Sequence, residues 1–96
     1  MSGIDPIRFT STIRYWDPAR NGGLAVADVP ADLVPAIGGL RQQHVRGSIA
    51  GQPFASSVMP AGKGRLALTV SKLMMKAAGL DVGDLAELEI SAVGRD

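Results

Sequence analysis

The sequence predicts one mainly β domain, in which six strands and two short helices close a small barrel around a twofold repeat. Three observations predict it. Period-two alternation of apolar and polar residues recurs along the chain. Glycine and proline punctuate it at short intervals, with 12 Gly and 6 Pro among 96 residues. The order strand, hairpin, strand, short helix, strand occurs twice, and neither unit can bury its apolar face alone.

Ile7, Phe9, Ser11, Ile13 and Tyr15 alternate with Arg8, Thr10, Thr12, Arg14 and Trp16, the signature of a half-buried first strand. Residues 17–23 then supply Pro18 for a fixed φ and Asn21-Gly22-Gly23 for positive φ, so a long-looped hairpin leads into a second strand over 24–29. Pro30 suits a first helical position, Asp32 favours its positive end and Gly38-Gly39 can close it. Pro35 limits that helix to a short or broken one. A third strand reads over 43–50, with Val45, Gly47 and Ile49 on a thin apolar face and His44, Arg46 and Ser48 on the other. Gly51-Gln52-Pro53 turns the chain, and Phe54, Ser56 and Val58 alternate in a fourth strand ending at Met59-Pro60. After the loop 61–64, Leu66, Leu68 and Val70 face one way in a fifth strand. Ser71 is a natural N-cap for a helix over 72–78, with Gly79 as its stop. Val82-Gly83-Asp84 turns into a sixth strand, where Ala86, Leu88 and Ile90 alternate with Glu87 and Glu89.

The two halves superpose in sequence. Val29 and Val70, Ala36 and Ala77, Gly38 and Gly79, and Ile49 and Ile90 each stand 41 residues apart. Upstream of the hairpin the separation is 45, matching Phe9-Thr-Ser-Thr-Ile13 with Phe54-Ala-Ser-Ser-Val58, so the first loop is four residues longer. The whole chain, 1–96, reads as a single barrel domain of half-repeats at about 7–50 and 51–93. Phe9, Ile13, Val29 and Ile49 should then be buried in positions equivalent to Phe54, Val58, Val70 and Ile90.

Composition bounds the chemistry. With no Cys and one His there is no disulfide framework, thiolate nucleophile or multi-histidine metal site, and no cofactor motif is found. The apolar runs are short and the N-terminus lacks the basic flank and apolar core of a signal peptide, so a cytoplasmic chain is expected. Net charge is only +1, yet no Asp or Glu occurs from Leu33 to Leu80, a stretch holding Arg41, Arg46, Lys63, Arg65, Lys72 and Lys76. Either the acidic last strand cancels these charges across strands, or they form a basic face for anions.

No residue pattern argues for catalysis. Histidine is a residue type suited to general-base work, but His44 is a lone His on the polar face of a strand, and Ser71 beside Lys72 reads as a cap before it reads as a nucleophile. Gly62-Lys63-Gly64-Arg65 precedes a strand, whereas a phosphate loop needs a helix N-terminus. No carboxylate pair has a spacing for metal binding or acid–base work. Trp16 is the only Trp, next to Tyr15 and near Arg14 and Arg20, so its loop can stack an aromatic group inside a cationic rim. The candidate ligand-binding set is therefore Trp16, Arg14, His44, Arg46 and Lys72.

Leu68-Thr-Val-Ser-Lys72, Ala77-Ala-Gly79 and Val82-Gly-Asp84 resemble the strand, short helix and Gly-Asp turn of AbrB/SpoVT-type swapped-hairpin modules. Nearly the full chain resembles a bacterial domain-of-unknown-function family, nineteen-oh-five. The resemblance is carried by Phe9, Val29-Pro30, Gly51-Gln52-Pro53-Phe54, Lys72 and Gly83-Asp84. It implies a double-split β-barrel with internal pseudo-twofold duplication, and it brings no catalytic residues. Three functions follow as expectations: a noncatalytic module recognising a small anionic molecule or a protein partner, a DNA-binding regulator by analogy with the swapped-hairpin barrels, or a small enzyme with its pocket at the barrel split. No membrane partner is expected, and the chain should be a monomer or a weak homodimer.

Overall fold

The computed structural model describes residues 6–17 and 23–93. β1 (Ile7–Tyr15), β2 (Ala25–Val29), β3 (Gln43–Ile49), β4 (Gln52–Gly62), β5 (Arg65–Thr69) and β6 (Leu85–Ala92) close a barrel in the cyclic order β1-β2-β5-β4-β3-β6. Every neighbouring pair is antiparallel. With its short helical connectors, this is the mainly β barrel that the alternation predicts. Residues 18–22 of the expected first loop, Arg20 among them, lie outside the described residues.

The register repeats at the two separations found in the sequence. Ile13 opposes Ala27 and Val58 opposes Leu68; Phe9 opposes Leu88 and Phe54 opposes Gly47. Upstream partners differ by 45 and downstream partners by 41 throughout, and exchanging β1, β2 and β3 with β4, β5 and β6 returns the same cyclic order. The long strands also change partners alike. β1 pairs β6 over 7–12 and β2 over 13–15, while β4 pairs β3 over 52–58 and β5 from Val58 onward.

That exchange of partners explains two departures from the sequence reading. Ile13, Val29, Ile49, Val58, Val70 and Ile90 are buried, but Phe9 and Phe54 are only half-buried against the core. Both rings sit on stretches with a strand on one side only. The fourth strand is also longer than expected, from 52 to 62, although it contains Pro53 and Pro60. Each proline lies where β4 has a single neighbour, so a missing N–H is tolerated as on an edge strand. The β3–β4 turn is Ala50-Gly51, with φ of 49° and 84°, one residue earlier than the expected Gly51-Gln52-Pro53. Positive φ at both central residues matches the strand twist of a two-residue hairpin.

The helix α1 (Lys72–Ala78) is capped as expected: Ser71 Oγ accepts the Met74 N–H at 3.1 Å, and Gly79 adopts φ 71°. The earlier connector is not an α-helix. It forms two 3-10 turns, Ala31–Leu33 and Pro35–Ile37, because Pro35 has no N–H for the Ala31 carbonyl and its ring would crowd that turn. Both connectors still stop alike. The N–H of Gly39 donates to the Val34 carbonyl at 3.0 Å, and that of Leu80 to the Met75 carbonyl at 2.9 Å, each after a left-handed glycine.

Gly47 explains the thin apolar face of β3. A Cβ there would collide with the Glu89 carbonyl and lie 2.9 Å from Ile90 Cα, so β3 closes on the β6 backbone only without a side chain.

Candidate functional site

Of the five residues singled out from the sequence, Lys72, His44 and Arg46 line concavities of the described surface, and Trp16 and Arg14 do not. A groove of about 490 Å³ runs between α1 and the β1–β2 hairpin. Its apolar lining comes from Tyr15, Leu24, Val70, Met75, Leu80 and Val82, and Lys72 and Lys76 stand beside it. One helical turn separates the two lysines, so both ammonium groups leave the same face of α1. Asp81 also lines the groove, but its Oδ1 accepts the Val82 N–H at 2.8 Å and its own N–H donates to Asp84 Oδ2 at 2.9 Å.

Trp16 follows the groove residue Tyr15 in the chain but is not itself part of the lining. It is 38% exposed, and its N–H donates to the Leu24 carbonyl at 2.7 Å, holding the two strand ends together. Arg14 faces elsewhere and is engaged. Its Nε and Nη2 donate to the two oxygens of Asp28 at 2.8 and 2.9 Å, and Nη1 reaches the Tyr15 carbonyl at 3.2 Å. This fork-to-fork geometry holds the Asp28 carboxyl below the usual carboxylate range, first through the hydrogen bonds and then through charge, with Arg65 adding to it. Partial burial of Asp28 works in the opposite direction and is outweighed. Arg14 is therefore a structural partner in this structure.

His44 and Arg46 share a second concavity, of about 500 Å³, with Pro53, Phe54 and Val93. A third, of about 640 Å³, surrounds Phe9 and is lined by Arg8, Glu87 and Glu89. These two are related by the repeat: Phe9 corresponds to Phe54, Glu87 to Arg46 and Arg8 to Pro53. The structure thus places Lys72 in one groove and His44 with Arg46 in another concavity, and Trp16 and Arg14 in neither.

Of the two charge readings, cancellation across strands is not carried by direct ion pairs between the last strand and the acid-free stretch among the described residues. Among the described residues the ion pairs are Arg8 with Glu89 at 3.2 Å and Arg14 with Asp28, and no cation between 33 and 80 belongs to either. Arg46 opposes Ala55 and Ser91, and Glu89 is its diagonal neighbour on β6 rather than its direct partner.

Leu24, Leu80 and Val82 escaped the sequence reading as site residues. Leu80 and Val82 carried a signal, being apolar between the helix and the last strand, where turn residues are usually polar, whereas Leu24 was read as the first residue of the second strand and the structure places it just before Ala25.

Among the described residues there is no cluster of three or more potential metal-ligating side chains, and no helix is long and apolar enough to cross a membrane. No curated protein matches the chain. A family model described as "Domain of unknown function (DUF1905)" matches residues 9–90, which runs from Phe9 in β1 to Ile90 in β6 and so spans all six strands. By that match the chain belongs to the DUF1905 family.

Proposed function

We propose that this single barrel domain, built of half-repeats at about 7–50 and 51–93, is a noncatalytic binding module whose groove beside α1 takes a small amphipathic anion. One observation carries the reading: an apolar trough of about 490 Å³ has two lysines on one helix face at its side, and neither forms an ion pair among the described residues. The volume lies within the usual range for small-molecule sites. Like charges one turn apart repel each other, so an anion between Lys72 and Lys76 relieves a strain that the free protein carries. The apolar lining takes the body of the ligand, and Trp16, next in the chain to the lining residue Tyr15, serves as the fluorescent reporter.

The DNA-binding alternative draws on the same cations. They stand on three separate elements, with Arg46 on β3, Lys63 and Arg65 at the β4–β5 turn, and Lys72 and Lys76 on α1, which favours the groove over a continuous phosphate surface.

Octanoate, with octanol as its uncharged counterpart, tests the proposal by calorimetry and Trp16 fluorescence. Octanoate is expected to bind more tightly than octanol. The double variant Lys72→Ala/Lys76→Ala should bind octanoate about tenfold more weakly, the equivalent of about one charge-assisted contact. Equal affinity for both compounds, or no binding of either, overturns the reading. A mobility shift of duplex DNA at about 50 mM salt, where phosphate contacts are strongest, would replace it with the DNA-binding one.

A further inference from the structure

On the outer face of β3, His44 and Arg46 stand side by side, two residues and so about 7 Å apart along the strand. The register surrounds them with short side chains. Arg46 lies between Ala55 on β4 and Ser91 on β6, and His44 opposes Ser57. On the other side of His44 is Val93, whose N–H donates to the His44 carbonyl at 3.1 Å. No long neighbour fills the space beside the guanidinium stem. The concavity of about 500 Å³ opens there, between Pro53, level with Ser48, and Val93, level with His44.

His44 and Arg46 are exposed, and neither forms an ion pair among the described residues. Glu89, the diagonal neighbour of Arg46, is held by Arg8 at 3.2 Å and lines the other Phe concavity instead. The fold does not require this arrangement. At the repeat-related positions Glu87 stands for Arg46, Leu85 for His44, Thr10 for Ala55 and Arg8 for Pro53. One backbone plan therefore carries an acid and its neighbouring ion pair in the first concavity, and two cations over a small apolar floor in the second.

We propose that this second concavity is a binding site, separate from the groove beside α1, that takes a flat aromatic carboxylate. The guanidinium of Arg46 is a planar fork that meets a carboxylate with two parallel hydrogen bonds, and an imidazole N–H of His44 donates a further one. Ala55 is the floor: a single methyl on the outer face of the sheet leaves room for a ring to lie down. Pro53 and Val93, which is 39% exposed, give that ring apolar edges. A flat ring covers such a shallow floor, where a thicker saturated one stands out into water. Guanidinium and imidazole groups also pack well against aromatic faces. The lysines of the α1 groove are point charges and make no such demand for planarity.

Benzoate, benzamide and cyclohexanecarboxylate, titrated into the full chain and followed by amide NMR, test the proposal. Benzoate is expected to shift the Arg46, Ala55 and Val93 amides saturably. It should bind more tightly than benzamide, which lacks the charge, and than cyclohexanecarboxylate, which lacks the flat ring. Arg46→Gln should weaken benzoate about tenfold, as for one lost charge-assisted contact. Ala55→Leu, which covers the floor and leaves both cations in place, should weaken it as well. Lys72→Ala/Lys76→Ala should leave these shifts unchanged, so that a failure here and a failure of the α1 groove are read separately. The amide spectrum of each variant reports its fold. Shifts confined to the α1 groove, no saturable shift, equal affinity for the three compounds, or benzoate binding indifferent to Arg46→Gln overturns the proposal.

Discussion

Where β3 carries Gly47, the equivalent position of β6 carries Leu88, and the two halves of the barrel diverge most sharply there. Leu88 fills the core at 3% exposure, whereas Gly47 leaves space that the Glu89–Ile90 backbone occupies. The connectors differ for related reasons. Ser71 caps α1 where the first half has Pro30, and Lys76 continues it where the first half has Pro35. Even so, strand register, the left-handed glycine stops and the exchange of partners coincide. Backbone hydrogen bonding and turn geometry set the shared plan, and side-chain packing is free to differ wherever one half compensates for the other.

Making the halves alike at the point of greatest difference should have the largest effect. Gly47→Leu is expected to prevent barrel closure, read as loss of the β circular-dichroism signal and of a cooperative melt, because the obstruction is main chain and cannot move aside. A folded, cooperative variant would show that the close approach of β3 and β6 is not required. Leu88→Ala, the reciprocal loss, should fold but cost about 2–5 kcal/mol in urea denaturation, as for other buried leucines. A cost below about 1 kcal/mol would place the core elsewhere.

The connectors offer a smaller contrast. Ser71→Ala removes the hydroxyl that accepts the Met74 N–H and should cost about 1 kcal/mol, with loss of helical ellipticity. No change in either would mean that packing of Met74 alone holds the helix.

Smallest of all is an acid-sensitive pair that only the first half contains. Arg14 and Asp28 correspond to Met59 and Thr69, which do not titrate. Since Arg14 lowers the Asp28 pKa on folding, the stabilisation is present above the ordinary aspartate value of about 3.9 and is lost as pH falls through the lower folded value. Asp28→Asn should remove about 0.5–1 kcal/mol at neutral pH, a figure reduced by solvent screening of the partly exposed Arg14, and flatten the stability profile below about pH 4. An unchanged acid profile would assign the pair no energetic role.

The sequence by itself determined the strands and their succession along the chain, the helix cap, the glycine stops and the separations of 41 and 45, because all of these rest on local rules. Alternation marks a strand, a hydroxyl before a helix satisfies an orphan N–H, and glycine admits positive φ wherever the chain carries it. Tertiary structure alone decided what depends on neighbours distant in the chain. It showed that β1 and β4 change partners midway, leaving Phe9 and Phe54 half-open. It turned the thin face of β3 into the point where another backbone passes, and it drew Arg14 onto Asp28. It also divided the five site candidates, since residues on separate strands meet or part according to register and barrel closure, and a period-two pattern carries no information about either.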